Sequence, residues 1–547
     1  MYQKIDELRK AFWHLRHGGL KQVRRWNRNR IAGSLESRKH RYLPSEALTS
    51  SSPSLTQSWQ AIANRLETSL SAADVRQYRN FFAQGWILTN TPNPDVSLPE
   101  HWKSLGFGAW TCQFDPDLEV HHVVHAEGEY EILLLGQATD SAKRLHTSKS
   151  VASELLKELS SSLGWDAFDE AVTWLGGRFV AIGRRSSSVR IHVDAMASRS
   201  CYWARQGGHL VFASHSILAA QAIGDVAASG SRWVLTHPDY HNPAGKCLPG
   251  MVSPHDAVKM VIANCALTIQ GSEISHRRFF STPPESLSVA EAAERYLSEL
   301  RFQMDAALAH RPKTVFGLTA GADSRAILTA TLDLLHTADV SAMTYHFFAR
   351  NADHSREDLL GANRLANLSN LKHRVLDVSP RRKTHAFTSM YSKTFPTWAR
   401  FPTLARTYYE ELGADEALIL GIGGEVGTVF YRDREFDKIT PEVLAGKYTQ
   451  SAFQHDPRLI ETMTEYMDYT ELSEENSAGY DLLDLFYWEH RMSTWAAYGY
   501  SEADFGPLVV LPLNSRRIFH AMLSLPFKDR LRRSVYHQLA LWSGISA

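Results

Sequence analysis

Short apolar runs, several of them alternating with polar residues, recur from about residue 80 to residue 280. Turn residues separate these runs, and a helical stretch near 150–163 lies among them. The predicted strands cover residues 85–89, 130–135, 177–182, 189–193 and 209–214. This pattern predicts a strand-rich domain with helices, arranged as a layered sandwich.

The pattern changes near residue 290, where strands and helices begin to alternate. Predicted helices cover 289–310, 323–337 and 355–369, and predicted strands cover 315–318, 340–345, 373–378 and 417–420. The remainder to residue 547 reads as mainly helical. Alternation of this kind predicts a parallel sheet connected by crossover helices.

Residues 1–43 are basic, with twelve Lys and Arg against three acids. Apolar residues recur there at helical spacing, which predicts an amphipathic helix. We favour a surface helix that packs on the body through one stripe. The alternative is peripheral contact with anionic lipid, a polyanion or a partner chain. The predicted domains are an extension and linker (1–75), the sandwich (76–285) and the parallel-sheet domain (286–547).

Composition argues against several classes of function. Among 547 residues 44% are hydrophobic and 22% charged, and the formal net charge is zero, so nothing global indicates nucleic acid. Four cysteines without a CxxC pair argue against a zinc site and favour a reducing compartment. We find no signal peptide and no apolar run of about 18 residues, so we expect a cytoplasmic protein without a transmembrane segment.

The chemistry is concentrated where the strand ending at Leu318 meets the helix beginning near Asp323. Thr319 and Ser324 supply hydroxyls, Gly321 permits close backbone approach, and a helix N-terminus attracts anions. This predicts a phosphate cradle, with Asp323 suited to Mg²⁺. The alternative is an ordinary strand–helix turn in which Asp323 or Ser324 is the N-cap.

The segment Leu-Thr-Ala-Gly-Ala-Asp-Ser-Arg (318–325) resembles the pyrophosphatase-type loop, Ser-Gly-Gly-x-Asp-Ser, of asparagine synthetases and their relatives, which include β-lactam synthetases and lasso-peptide cyclases. Gly-Ile-Gly-Gly-Glu-Val (421–426) resembles the family's second loop. Segments 491–495 and 511–517 resemble later family motifs. Upstream, segments 176–182, 201–203 and 210–215 and Asp194 resemble the glutaminase-like domain of the same proteins.

The resemblance implies a multidomain α/β fold, with a glutaminase-like (Ntn) αββα sandwich followed by a parallel-sheet adenylating domain. It implies ATP and Mg²⁺ as cofactors, a carboxylate converted to its adenylate with release of pyrophosphate, and an amine or ammonia that displaces AMP. By position, the ATP loop comprises Leu318, Thr319, Gly321, Asp323 and Ser324, and the pyrophosphate–Mg²⁺ loop comprises Gly421, Gly423, Gly424 and Glu425. Asp323 and Glu425 are the implied metal ligands, and Met343 and Thr344 the implied adenine wall.

The chain departs from the family at several positions. Glutamine-hydrolysing members need an N-terminal cysteine, but position 2 is Tyr2, so we expect a sandwich without glutaminase activity. Ile422 replaces a polar residue and cannot move a proton. The catalytic base therefore comes from elsewhere, with Glu489, His490 and Tyr431 as candidates and Glu489 grouped with Asp323 and Glu425 as catalytic. The family's late Lys has no matching motif near Lys528, which leaves Arg491, Arg516 and Arg517 as candidate cations.

Three hypotheses follow. The leading one is an ATP-dependent amide-forming ligase acting on a small amino acid derivative, a peptide cyclised on its own side chain or a sugar acid. The second is an asparagine synthetase using free ammonia, against which Ile422 argues. The third is a catalytically dead nucleotide-binding scaffold. Retention of Asp323, Ser324 and Glu425 favours an enzyme, because a scaffold has no chemical need for both loops.

Overall fold

The computed structural model of this protein describes residues 81–91, 95–240, 247–347, 353–378 and 385–543. The predicted extension and linker (1–75), with its basic helix in 1–43, lie outside these ranges. No helix within the described ranges combines the length and the apolar character needed to cross a membrane.

Twelve strands between Trp86 and Arg278 form two antiparallel six-stranded sheets. The first sheet has the order β10-β8-β9-β1-β3-β2 and the second has the order β12-β11-β7-β6-β5-β4. The strands are β1 (Trp86–Thr89), β2 (Lys103–Phe107), β3 (Trp110–Phe114), β4 (Val120–Val124), β5 (Tyr130–Thr139), β6 (Gly176–Arg185), β7 (Ser188–Val193), β8 (Tyr202–Gln206), β9 (His209–Ala213), β10 (Val258–Met260), β11 (Cys265–Gln270) and β12 (Glu273–Arg278).

The second sheet packs against the first sheet on one face and against two helices on the other. In β5, Leu133 and Leu135 face the first sheet across a shared apolar core, whereas Ile132 and Leu134 pack against two helices on the opposite face. Because successive side chains of a strand point to opposite faces, an uninterrupted apolar run is buried on both sides. The helices of this part are α1 (Ser148–Leu159), α2 (Trp165–Thr173), α3 (Ser216–Ala222) and α4 (Ser229–Leu235).

The second sheet system is fully parallel, with the strand order β15-β14-β13-β16-β17. Its strands are β13 (Lys313–Gly317), β14 (Asp339–His346), β15 (Lys372–Asp377), β16 (Glu416–Ile419) and β17 (Leu508–Val510). The protein is thus a multidomain α/β structure with two antiparallel sheets and one parallel five-stranded sheet. The prediction missed β17, because three residues within a mainly helical region are too few to show a period.

Helix α5 (Val289–Ala309) opens the second part with a capping box, in which Ser288 and Glu291 satisfy each other's backbone N–H groups. Four further helices follow before or beside the parallel strands. They are α6 (Ala322–His336), α7 (Asp353–Leu368), α8 (His385–Thr394) and α9 (Pro402–Glu411).

The C-terminal part is mainly helical, as predicted. It contains α10 (Gly424–Gly427), α11 (Pro441–Tyr448), a 3₁₀ turn (Ala452–His455), α12 (Pro457–Thr470), α13 (Leu482–Phe486), a π-helical segment (Tyr487–Ala496), α14 (Ala497–Ala503), α15 (Arg516–Leu523), α16 (Phe527–Leu531) and α17 (Ser534–Ser543). A π-helical segment of this length is uncommon, and such segments frequently lie at functional sites.

The two sheet systems share one apolar core. Ile87 and Val211, on the outer face of the first sheet, belong to the same buried cluster as Phe316 and Ile419 of the parallel sheet. A buried bidentate pair between Arg178 and Asp504 joins them further, with Nη2 and Oδ2 2.8 Å apart. The sandwich therefore supports the parallel-sheet domain directly.

Candidate functional site

The first loop connects β13 to α6 and is closed by its own hydroxyls. Ser324 Oγ accepts the N–H of Thr319 at 3.1 Å and donates to the Thr319 carbonyl at 3.0 Å. The N-cap of α6 is Gly321, which makes no side-chain capping bond. The alternative in which Asp323 or Ser324 caps the helix is therefore wrong, and the N-terminus of α6 keeps unsatisfied N–H groups of the kind that bind anions.

Asp358, on α7, is a further anchor of this loop that sequence reasoning missed. Its Oδ1 accepts the N–H of Ala320 at 2.7 Å. A Cβ added at Gly361 would lie 2.6 Å from the Ala320 Cβ, so this glycine lets α7 approach the loop. The signal in the sequence was weak, because one acid in a polar helix is ordinary.

The second loop follows β16, which pairs directly with β13 in parallel. Adjacent parallel strands bring their carboxyl ends to one edge of a sheet, where ligands of such sheets bind. Gly421 packs closely on α6, since an added Cβ would lie 2.9 Å from Ile327 Cδ1. Gly423 has φ 115°, a left-handed conformation that favours glycine. The structure thus brings the two predicted loops together.

Asp323 and Glu425 meet at this edge. A Cβ added at Gly424 would lie 2.3 Å from Asp323 Oδ1, so the glycine lets the second loop reach the first carboxylate. Burial raises the pKa of Asp323. Burial and then the negative charge of Asp323 raise the pKa of Glu425 to about 7. Two interacting carboxyl groups with raised pKa values are typical of sites that hold a cation or move a proton.

The oxygens of these two groups fit Mg²⁺. Oε2 of Glu425 is buried without a hydrogen-bond partner in the described structure, which is a cost that a bound cation would remove. Within the described residues, no group of three or more His, Cys, Asp or Glu forms a metal cluster. Two carboxylates suffice for Mg²⁺ in nucleotide enzymes, because waters and substrate phosphates complete its coordination.

Two groups near the C-terminus also act on Asp323, and sequence reasoning missed both. The Tyr536 hydroxyl donates to Asp323 Oδ1 at 2.7 Å, and its burial raises the pKa of Tyr536. The exposed Arg533 lies close enough for its charge to lower the pKa of Asp323. Neither residue stands in a recognisable motif, so only the folded chain reveals the contact.

Met343 and Thr344 lie beside the first loop, at the carboxyl end of β14. The Met343 carbonyl accepts the N–H of Leu318 at 2.8 Å, and the Thr344 hydroxyl donates to the Leu318 carbonyl at 2.6 Å. Both side chains are buried. These bonds brace the loop, and the role of the two residues as an adenine wall stays a prediction.

Arg400 is a buried cation that sequence reasoning also missed. Only 8% of it is exposed, its guanidinium carbon lies 3.7 Å from the centre of the Trp495 ring, and its Nε has no partner in the described structure. Gly499 makes the space, because an added Cβ would lie 1.9 Å from Arg400 Nη1. Burial lowers the pKa of Arg400 to about 10, which leaves it charged at neutral pH. The charge of the buried Glu502 carboxylate acts in the opposite direction on this pKa. A buried guanidinium that keeps a donor unpartnered in the described structure is suited to binding an anion.

The Glu502 carboxylate holds the backbone at residues 400 and 401 in place. It accepts the N–H groups of Arg400 and Phe401 at 2.6 and 2.8 Å. Arg491 lies on the same aromatic ring as Arg400, 4.9 Å from the centre of Trp495, and its charge lowers the pKa of Glu425. Of the predicted cations, Arg491 is therefore the one that the structure brings to the site.

The other two arginines lie elsewhere. Arg516 is completely buried and donates to Asn264 Oδ1 at 2.9 Å, and Arg517 lies over the Trp174 ring. Lys528 lies in α16. These three basic residues, although close in the sequence, therefore do not lie with Arg491 beside Glu425.

Glu489 is not brought to the site, which corrects its grouping with Asp323 and Glu425. It is completely buried, with Oε2 2.8 Å from Arg278 Nη2 and Oε1 3.0 Å from Asn264 Nδ2. Residues two apart on a helix point in nearly opposite directions, so Glu489 faces the sandwich while Arg491 faces Glu425.

The other two candidate bases, His490 and Tyr431, are buried in the packed interior. His490 Nε2 accepts the N–H of Gly250 at 2.8 Å, and burial lowers its pKa to about 3. Tyr431 is also buried, and burial raises the pKa of its hydroxyl, which keeps it protonated. Ile422 is partly buried against the apolar core. Glu425, whose pKa burial and Asp323 raise to about 7, is a carboxyl at the two loops that can exchange a proton near neutral pH.

The sandwich carries buried thiols. All four cysteines are free and buried, and burial raises the pKa of each, which disfavours the reactive thiolate. Trp86, at the start of β1, is completely buried, and its backbone N–H donates to Ser214 Oγ at 2.9 Å. The expected lack of glutaminase activity stays a prediction.

No protein-family model matches this chain, and no curated protein matches it in sequence. Among solved structures, 39 chains match. One is glutamine phosphoribosylpyrophosphate amidotransferase from B. subtilis complexed with ADP and GMP, with 9% identity, a TM-score of 0.23, and coverage of 72% of this chain and 75% of that one. Another is NMN synthetase from Francisella tularensis, with 13% identity, a TM-score of 0.20, and coverage of 38% and 94%.

A third is NH3-dependent NAD synthetase from Campylobacter jejuni, with 12% identity, a TM-score of 0.20, and coverage of 34% of this chain and 96% of that one. Superpositions this weak carry no argument about function. The functional conclusion therefore rests on the geometry of the two loops.

Proposed function

We propose that this protein is an ATP-dependent ligase that activates a carboxylate as its adenylate, releases pyrophosphate and then forms an amide. The observation that carries the proposal is the meeting of Asp323 and Glu425 at the carboxyl ends of two adjacent parallel strands, with Oε2 of Glu425 buried and unpartnered. A helix N-terminus suited to anions, beside two carboxylates suited to Mg²⁺, is suited to binding a nucleoside triphosphate.

In this account the first loop and the N-terminus of α6 bind phosphate oxygens, while Asp323 and Glu425 hold Mg²⁺. When bound, Mg²⁺ neutralises the charge that develops on the departing pyrophosphate. The finer assignments follow the sequence prediction, with Thr319, Gly321 and Ser324 in the ATP loop, Gly421, Gly423 and Gly424 in the pyrophosphate loop, and Met343 and Thr344 beside the base.

Arg400 adds the cation that the sequence left unassigned. A buried guanidinium with a free Nε binds an anion strongly, because its surroundings offer little competing solvation. We assign it to the carboxylate or phosphate oxygens that carry charge during activation. Attack of the substrate carboxylate on the α-phosphorus forms the acyl–phosphate bond and breaks the bond to pyrophosphate, and an amine then displaces AMP from the acyl carbon.

The test is pyrophosphate release by the purified protein with ATP, Mg²⁺ and a panel of carboxylates, comparing wild type with Asp323→Asn. Asp333→Asn is a matched control, because Asp333 is an exposed acid on the same helix and pairs with Arg301 at the surface. Release that depends on one carboxylate and is lost in D323N but not D333N supports the proposal. ATP binding without release for any carboxylate favours the scaffold alternative.

A further inference from the structure

A second cleft lies where the sandwich meets the parallel-sheet domain. Its volume is about 610 Å³, which is within the range of small-molecule sites. The turn at 141–144 and Trp174 line it from the sandwich, and residues of α5 and α15 line it from the other side. It shares no lining residue with the Asp323 site, and domain junctions are frequent locations for ligands.

Arg517 lines this cleft and keeps one donor without a partner in the described structure. Its guanidinium carbon lies 5.2 Å from the centre of the Trp174 ring, and its Nε is buried without a partner in the described structure. The nearest described carboxylate oxygen, Asp140 Oδ1, is 3.8 Å from Nη2 and already accepts the N–H of Ala142 at 3.0 Å. This pairing is long, so Arg517 retains capacity for a closer anion.

The acids of the cleft are mostly satisfied. Glu299 is buried and accepts hydrogen bonds from Ser515 Oγ at 2.8 Å and Gln303 Nε2 at 2.9 Å, and also from Ser141. Glu285 pairs with Arg295 through two bonds of 2.7 and 2.9 Å. The Arg295 guanidinium neutralises Glu285, whereas neutral donors satisfy the hydrogen-bonding capacity of Glu299. The third acid of the lining, Glu294, is exposed on α5.

Arg144 places a second guanidinium at the rim. It is exposed, and its φ of 56° belongs to the tight turn that ends with the Asp140–Leu145 bridge. Trp174 and Phe302 supply apolar surface to the same cleft. Two guanidinium groups beside aromatic rings are suited to planar or tetrahedral oxyanions attached to a small apolar body.

We propose that this cleft binds a small molecule carrying a carboxylate or a phosphate group, held by Arg517 and Arg144 beside Trp174 and Phe302. The proposal stands apart from the proposed ligase activity, because none of its residues belongs to the Asp323 site. A carboxylate and a phosphate share the chemistry that this pair recognises, so the experiment includes both.

The test is calorimetric titration of the full chain with sodium succinate and, separately, with inorganic phosphate at constant ionic strength. Ala142→Glu places a carboxylate at the cleft without removing packing, and Arg144→Gln removes an exposed cation. We expect each to weaken binding of the preferred anion about tenfold or more, A142E through charge repulsion and R144Q through loss of a hydrogen bond to a charged group. Tighter binding of one anion than the other identifies the group that the site takes.

Two control variants locate the binding. Arg277→Gln removes an exposed arginine on β12, and Arg400→Gln removes the cation of the other site, so both should retain the binding. The proposal is overturned if neither anion binds, if A142E and R144Q bind as wild type does, or if only R400Q loses the binding. Circular dichroism of each variant confirms that the fold is intact.

Discussion

The Tyr536 hydroxyl donates a 2.7 Å hydrogen bond to Asp323 Oδ1, joining α17 to the first loop across 213 residues of sequence. Gly424 makes the contact possible, since an added Cβ would lie 2.3 Å from both the Tyr536 hydroxyl and Asp323 Oδ1. Three elements distant in the chain thus converge on one carboxylate. Tyr536 orients Asp323, and this relationship leads to the first prediction.

Replacing Tyr536 with Phe should weaken binding of Mg²⁺–ATP about tenfold, because a hydrogen bond to a charged group contributes about 1.5–3 kcal/mol. Calorimetric titration with Mg²⁺ and a nonhydrolysable ATP analogue measures the effect. Tyr469→Phe is the control, since that hydroxyl donates to the Met260 carbonyl on the sandwich side. Equal affinity in Y536F and wild type would show that the hydroxyl has no part in the site.

Replacing Arg400 with Gln should reduce the rate of pyrophosphate release about a hundredfold, by analogy with loss of one buried group that stabilises developing charge. The carboxylate of Glu502 accepts backbone N–H groups of residues 400 and 401, and the substitution keeps both bonds, so the fold should survive. Arg277→Gln, at an exposed position, should release pyrophosphate as wild type does. A normal rate in R400Q would remove Arg400 from the proposed site.

The pKa of Glu425, raised to about 7, predicts a pH-dependent response to Mg²⁺. Because burial and then Asp323 disfavour ionisation, the metal-free protein loses stability as pH rises from the ordinary Glu pKa of 4.5 through about 7. Mg²⁺ binds the ionised pair and offsets that loss. The increase in melting temperature on adding Mg²⁺ should therefore be small at about pH 5.5 and grow towards about pH 8.

The matched variant for this experiment is Glu425→Gln, which cannot ionise. Its melting temperature should respond little to Mg²⁺ across the same pH range, whereas D333N should behave as wild type does. An increase that is the same at every pH, or one that E425Q retains in full, would contradict the assignment of Glu425 as a metal ligand.

Replacing Glu489 with Gln should destabilise the protein without removing the chemistry. Its partner Arg278 is only 5% exposed at the side chain, so the variant leaves a buried, poorly paired cation, which typically costs about 3–5 kcal/mol. Urea unfolding measures the loss, and pyrophosphate release per folded molecule should stay near the wild-type rate. A large drop in that rate with normal stability would return Glu489 to the list of catalytic groups.

Local patterns predicted five of the twelve described strands of the sandwich and several elements of the parallel-sheet domain. The predicted helix 289–310 is observed as Val289–Ala309, and the predicted strand 340–345 as Asp339–His346. Both have strong periodicity or continuous apolar character, and the capping box at Ser288 marks one end. The strand β17 (Leu508–Val510) was missed, because its pairing with β16 is a tertiary fact that three residues do not encode locally.

The residues of the candidate site also fall into those that local sequence predicts and those that only the fold reveals. The two loops were recognisable because glycines and acids at fixed spacing leave a signature, and β13 and β16 do place the loops side by side. Tyr536, Arg400 and Asp358 were not recognisable, since each reaches the loops from another element. Glu489 was assigned from its place in the order of the sequence motifs, although the fold turns its carboxylate towards Arg278 and Asn264.

The most direct test of the central claim is exchange of labelled pyrophosphate into ATP, catalysed by the wild-type protein with Mg²⁺ and a panel of carboxylates. Exchange requires reversible attack at the α-phosphorus, so it separates adenylation from phosphate transfer. We predict exchange that depends on one class of carboxylate, persists in D333N and disappears in D323N and E425Q. Exchange that is absent from wild type with a carboxylate that it is shown to bind, or that persists undiminished in D323N, would contradict the account.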